Sequence, residues 1–190
     1  MPGRTVVVIV PGLATCVAYA VVGTLQILVW NPLAAVPGLG LPEIYRQMRE
    51  AREPMAVNLV VIWGVTGVAL GLMVGLLGTL RRWSAPRIAA LYLCVITLGA
   101  PSHVVASFNP GMSLADAFAI GGGDYTIWGA VLYGVSAAAL LALIVLLRGA
   151  RRVALGSEHD GPPPHDPARA ARHPRTPRPR PPRRARRRRP

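Results

Sequence analysis

The chain contains four long stretches without a charged residue. A helix of roughly 20 apolar residues is long enough to cross the ~30 Å hydrocarbon core of a bilayer, and each stretch contains such a segment. A soluble protein with four buried helices of this kind would have too little polar surface left to cover them. The pattern therefore predicts an all-α, integral membrane four-helix bundle. The predicted spans lie near residues 6–30, 56–80, 86–107 and 125–147.

The first span begins like a cleavable signal peptide, because Arg4 precedes an apolar run that reaches the small-residue site Ala18-Tyr19-Ala20. A signal peptide is followed by polar mature sequence. Here the apolar run continues from Val21 to Trp30. We therefore expect the first span to be retained.

The formal charge of +13 is concentrated in the C-terminal part of the chain. Residues 1–147 carry seven Arg against five Asp or Glu, whereas residues 148–190 carry fourteen Arg against three. The end of the chain is rich in proline and poor in large apolar side chains, so residues 151–190 are expected to form a disordered basic tail. Its Arg cluster is expected to attract anionic lipid headgroups. It has no aromatic residue to stack on bases, which disfavours specific binding of nucleic acid.

The distribution of arginine between the loops predicts the orientation. In a four-span topology one side carries Arg4, Arg81, Arg82, Arg87, Arg148, Arg151 and Arg152. The opposite side carries three Arg that are balanced by three Glu in residues 31–54, and only acidic charge in residues 108–124. Positively charged loops stay inside, so both termini are expected in the cytoplasm. All 21 basic residues are Arg, which fits GC-rich bacterial coding and therefore the plasma membrane.

The second predicted span carries a strip of glycine at spacings of three and four, which places its members on one helical face. Such a strip lets helix backbones approach closely in lipid, either inside the bundle or at the seam of a homo-oligomer. The fourth span offers a second strip of small residues that would match it. The two strips consist of Gly64, Gly67, Gly71, Gly75 and Gly78, and of Ala130, Gly134, Ala138 and Ala142.

The two segments predicted on the outer side have different characters. Residues 43–53 have helical charge spacing and one apolar face, which predicts a short amphipathic helix that rests on the outer leaflet, as a connector or as a docking surface. Asn31-Pro32 and Asn109-Pro110-Gly111 are typical of turns, so the first and third spans should end before them. Ser113 and Asp116 have capping-box spacing, which predicts a helical turn or two over 114–119.

Four polar side chains lie near the outer ends of the predicted spans. If the bundle closes, they would converge on a polar pocket that opens to the outside, with His103 as a proton-transfer group or metal ligand and Asp124 as its partner. The alternative is ordinary hydrogen bonding at the interface, with Asp124 as the N-cap of the fourth span. These four residues are Gln26, Asn58, His103 and Asp124.

The sequence contains no recognised catalytic motif, no metal-ligand spacing and no nucleotide-binding loop, so no cofactor is expected. The principal hypothesis is a non-enzymatic scaffold or accessory subunit, which associates through its glycine strip and outer loops with copies of itself or with another membrane protein. The alternative is a small transporter, or a sensor of an extracellular small molecule, that uses the polar pocket. A membrane enzyme has the least support.

Overall fold

The computed structural model describes the backbone of residues 2–159 and the side chains of residues 6–152. The described residues contain helices and no strand. The described residues up to Arg151 form one compact unit, and all contacts discussed below lie within it. The helices are α1 (Pro2–Leu25), a π-helical segment (Gln26–Trp30), α2 (Asn31–Ala35), α3 (Leu41–Glu50), α4 (Val57–Leu80), α5 (Ala85–Thr97), α6 (Gly99–Phe118) and α7 (Trp128–His159).

Among the described residues, four helical segments are long and apolar enough to cross a membrane, as the charge-free stretches predicted. The described part of the chain is therefore all-helical, and the protein is a multi-pass membrane protein. α7 continues to His159, so residues 151–159 are helical where the sequence predicted the start of the tail. The rest of the tail predicted for residues 151–190, from residue 160 onward, lies outside the described residues. The spans are Val6–Ala35, Val57–Leu80, Ala85–Phe118 and Trp128–Arg152.

The first span passes through Asn31-Pro32 without a turn, so the expectation of a break there was wrong. Proline has no N–H and cannot bond to the carbonyl four residues earlier, which here belongs to Leu28. The hydroxyl of Tyr45 donates to that carbonyl oxygen at 2.7 Å. The N–H of Asn31 bonds instead to the carbonyl of Gln26 and closes a π turn. These bonds satisfy the backbone around the proline and allow the helix to continue to Ala35.

The third span also passes its predicted end. α6 runs through Asn109-Pro110-Gly111 to Phe118, and the expected separate turn over 114–119 belongs to this helix. Leu114 is 2% exposed and packs against α3, so burial at this end outweighs the local cost of the proline. The interruption lies earlier, between α5 and α6, where Pro101 cannot donate to the carbonyl of Thr97.

The apolar face of the short helix α3 is buried against other parts of the protein. Ile44 and Met48 are fully buried and pack with Ala35 and Leu114, so the expectation that this face rests on the outer leaflet was wrong. Its polar face is exposed, and there Arg46 bonds to Glu43 and Glu50. The hydrogen bond from Arg46 lowers the pKa of Glu43. Exposed pairs of this kind contribute little to stability, so α3 is held mainly by its two buried side chains.

The glycine strip of α4 lies inside the bundle. A Cβ at Gly64 would meet the Thr24 hydroxyl at 2.6 Å, and a Cβ at Gly71 would meet the Cβ of Cys16 at 3.0 Å. Further along, Gly78 lies against Ile88 of α5. The strip therefore packs against α1 and α5 and does not form an outward seam. The strip of α7 does not match it, because Ala130, Gly134, Ala138 and Ala142 are all exposed.

The end of α6 contains a residue that is conformationally unfavourable. Ala119 has φ of 54° in the left-handed region, and the following N–H, that of Ile120, bonds back to Ala115 at 3.1 Å. Glycine adopts this conformation without the steric penalty of a Cβ. We expect Ala119→Gly to stabilise the protein by about 0.5–1 kcal/mol.

Thermal unfolding in detergent measures this effect as a rise in Tm. Ala117→Gly is the matched control, because Ala117 is still within α6 and glycine there should lower the Tm. Equal shifts of both variants in the same direction would contradict the assignment of a left-handed helix end.

Candidate functional site

A cavity of about 250 Å³ lies at the end of the bundle opposite to Arg81, Arg82 and Arg87. It is bounded by the π-helical segment, by α6, by the loop before α7 and by α7 itself. Its polar lining residues come from these four elements and from the start of α2, and they are Gln26, Asn31, Ser107, Asp124 and Tyr133. We refer to this cavity as the outer cavity.

One chain of hydrogen bonds runs behind the outer cavity from α7 to the loop. The Tyr133 hydroxyl lies 3.4 Å from Nδ1 of His103, and Nε2 of His103 lies 3.1 Å from Oε1 of Gln26. The side-chain amide of Gln26 donates to Oδ1 of Asp124 at 2.8 Å. His103 is 0% exposed and Gln26 is 1% exposed, so water does not compete for the two inner groups. The network joins three of the four spans.

The carboxylate of Asp124 sets the orientation of the whole network. A carboxylate accepts hydrogen bonds, so the NH₂ group of Gln26 must face it and the amide oxygen must face His103. Nε2 of His103 must then carry a proton and donate to that oxygen. Nδ1 of a neutral ring is left as an acceptor for the Tyr133 hydroxyl. Each group thus has a partner while His103 stays uncharged, which is the state that burial in a membrane favours.

The π turn brings two lining residues onto one face of the first span. In an unbroken α-helix, residues five positions apart lie about 140° apart around the axis. The bond from the N–H of Asn31 to the carbonyl of Gln26 widens this turn, so both side chains line the outer cavity. π turns of this kind occur frequently at functional sites.

Asn31 also fixes the loop that carries the carboxylate. Its Oδ1 accepts the backbone N–H of Tyr125 at 2.7 Å, and its Nδ2 lies 3.5 Å from the carbonyl oxygen of Gly123. The residue between them, Asp124, is therefore held at a defined place although it is exposed.

Asp124 does not act as the N-cap of α7, because that helix begins at Trp128. The carboxylate instead lies against Gly129, where any Cβ would overlap with it. Gly129 is buried, and it lies in the first turn of α7, whose free N–H groups favour a nearby negative charge. Glycine at position 129 therefore leaves the room that the carboxylate occupies.

Aromatic rings surround His103 on its other sides. The ring of Trp63 lies edge-on at 5.5 Å between centroids, and that of Tyr133 at 5.7 Å. Trp63 is held by a hydrogen bond from its Nε1 to Ser102 at 3.0 Å. At Gly23 a Cβ would meet the Trp63 ring at 2.5 Å, so this glycine makes room for the cluster.

The structure brings together three of the four residues that the sequence proposed for a pocket. Gln26, His103 and Asp124 belong to one network, whereas Asn58 is exposed on α4 and does not line the outer cavity. Sequence reasoning missed Tyr133 and the role of Asn31. A lone tyrosine in an apolar span carries no distinguishing signal, and the proline after Asn31 was interpreted as part of a turn.

Among side chains 6–152, no three His, Cys, Asp or Glu residues lie close enough together to hold a metal ion. Cys16 and Cys94 are free thiols. No protein-family model matches the chain, and neither a curated protein nor a solved structure is detectably similar to it.

Proposed function

We propose that this membrane protein binds a small polar solute that enters the outer cavity from outside the cell. The observation that carries the proposal is the hydrogen-bonded chain of Gln26, His103 and Asp124 beside a cavity of about 250 Å³. Burying a histidine and an amide within membrane spans is costly, and such groups commonly mark a binding or transport site. Binding pockets likewise combine an apolar wall with a few fixed polar groups.

We further propose that the protein resides in a bacterial plasma membrane with both termini in the cytoplasm. Arg81 and Arg82 directly follow α4 and are exposed, at the end of the bundle away from the outer cavity. Positively charged residues at one end support a cytoplasmic position for that end. The arginine-rich tail would then lie beside anionic lipid headgroups. Trp30 and Trp128, whose rings lie 5.1 Å apart, fit the headgroup level on the outer side.

Native mass spectrometry of the protein extracted from its own membrane tests the proposed binding. The wild type should carry a bound small molecule, and the double variant His103→Ala/Asp124→Asn should lose it at normal expression. An equal bound mass in both proteins would refute the proposal, and so would a wild type that carries no small molecule.

A second function, as a scaffold or accessory subunit, is favoured by the outward strip of α7. A Cβ at Gly134 would have no atom within 4 Å, and Ala138 on the same face is exposed. Small residues at this spacing allow close contact between helices of different chains. Molar mass in detergent should fall from an oligomer to a monomer on Ala138→Leu, whereas a monomeric wild type would exclude self-association through this strip.

A further inference from the structure

We infer that the outer cavity is selective for a small organic cation that carries apolar substituents. This inference rests on the proposed function and names its class of ligand. It follows from the charge, the hydrogen-bonding capacity and the apolar part of the cavity wall.

The first observation is the sign of the charge. Asp124 is the one formally charged residue among those that line the outer cavity, and none of the described lining residues is an arginine. The chain contains no lysine that could take that place. An anionic ligand would therefore face a carboxylate with no compensating cation, which makes its binding unfavourable.

The second observation is that the carboxylate keeps free acceptor capacity. Two carboxylate oxygens offer about four acceptor sites, and the network uses Oδ1 for one bond from Gln26. Oδ2 lies against Gly129 of α7, but Asp124 is exposed and lines the cavity, so a ligand can reach the carboxylate from the cavity side. Asn31 holds the loop that carries it, so the charge is positioned before a ligand arrives.

The third observation is the apolar part of the wall, which argues against a metal cation. A hard metal ion requires about six oxygen ligands, whereas much of this wall is hydrocarbon, thioether or aromatic ring. A positively charged nitrogen with methyl or larger substituents suits both parts of the site, because its charge meets the carboxylate and its carbon atoms meet the apolar side. The residues of the apolar wall include Ile27, Met55, Val104, Phe108, Met112 and Leu114.

Three probes of nearly equal shape test the inference on the full-length protein in detergent. Choline is the cation, 3,3-dimethylbutan-1-ol is its uncharged isostere, and 3,3-dimethylbutanoate is an anion of similar size. Isothermal titration should show choline binding at least ten times more tightly than the alcohol, and no binding of the anion. Asp124→Asn keeps an acceptor for Gln26 and should weaken choline binding at least tenfold.

Asp116→Asn is the matched control, because Asp116 is an exposed carboxylate on α6 that does not line the outer cavity. It should leave choline binding within twofold of the wild type. If the alcohol or the anion binds as tightly as choline, the cation inference fails while the binding function stands. If no probe binds and the extracted wild type carries no small molecule, both fail.

Discussion

Gly71→Leu is expected to destroy the packing of α4 against α1. A Cβ at position 71 would already lie 3.0 Å from the Cβ of Cys16 and 3.3 Å from Leu13, and leucine adds three more carbon atoms in the same direction. The two helices must separate to admit them, which costs about 3 kcal/mol or more. In lipid, helices associate mainly through close packing, so this separation removes the principal attraction between the spans.

Thermal unfolding and size-exclusion profiles in detergent measure the result. Gly71→Leu should give a strongly lowered Tm and an aggregated profile. Gly149→Leu adds the same side chain to α7 at an exposed position with no atom within 4 Å of the new Cβ, and it should behave as the wild type.

Two smaller substitutions test how the loss of stability varies along the same glycine strip. A Cβ at Gly67 lies at an ordinary 3.7 Å from Ala20, so Gly67→Ala should be tolerated. Gly71→Ala should lower the Tm, because its contact with Cys16 is too short. If both alanine variants unfold like the wild type while a higher oligomer is lost, the strip would be a seam between chains after all.

The four spans were predictable because each contains a long run without charge, and the bilayer requires little more than length and hydrophobicity. Their ends were less predictable. Pro32 and Pro110 are local signals for a break, yet Tyr45 bonds to the carbonyl that the first proline leaves free, and buried Leu114 holds the helix beyond the second. Both helices continue past their proline because of contacts with α3, and a local sequence pattern does not show such long-range contacts.

The sequence indicated how far along its span each residue of the candidate site lies, but not which side of the helix faces the bundle. Gln26, Asn58 and His103 lie at similar distances along their spans, which is why the sequence grouped them. A membrane helix is apolar on its lipid side and on its packed side, so polarity does not reveal which side faces the bundle. Asn58 proves to be exposed, whereas the π turn directs Gln26 inward. The π turn forms just before Pro32, which has no N–H to donate. The proline is visible in the sequence, but the sequence alone does not show whether the helix ends there or continues through a π turn.

Gln26→Leu is expected to cause the largest loss within the polar network. Gln26 is the only link between His103 and Asp124 in the described network, and leucine can neither accept from the ring nor donate to the carboxylate. The buried Nε2–H of His103 is then left without a partner. We expect destabilisation of about 2–3 kcal/mol. Ligand binding in the outer cavity should weaken as well, because the carboxylate loses the group that orients it.

Asn58→Leu is the matched control for this loss. The sequence places Asn58 at a similar depth, but its side chain is exposed. The same change of amide to leucine should therefore leave the free energy of unfolding within about 0.5 kcal/mol of the wild type. Equal losses for the two variants would mean that depth alone, and not the network, sets the cost.

The double variant Gln26→Leu/His103→Leu distinguishes the loss of a hydrogen bond from the cost of a buried N–H that has no partner. If the cost of Gln26→Leu comes mainly from the unpaired ring N–H, removing the ring as well removes that penalty. The double variant should then be at least about 1 kcal/mol more stable than the sum of the single variants predicts. Strict additivity would show that the two side chains act independently. The hydrogen-bonded chain from Tyr133 to Asp124 would then not stabilise the protein as a unit.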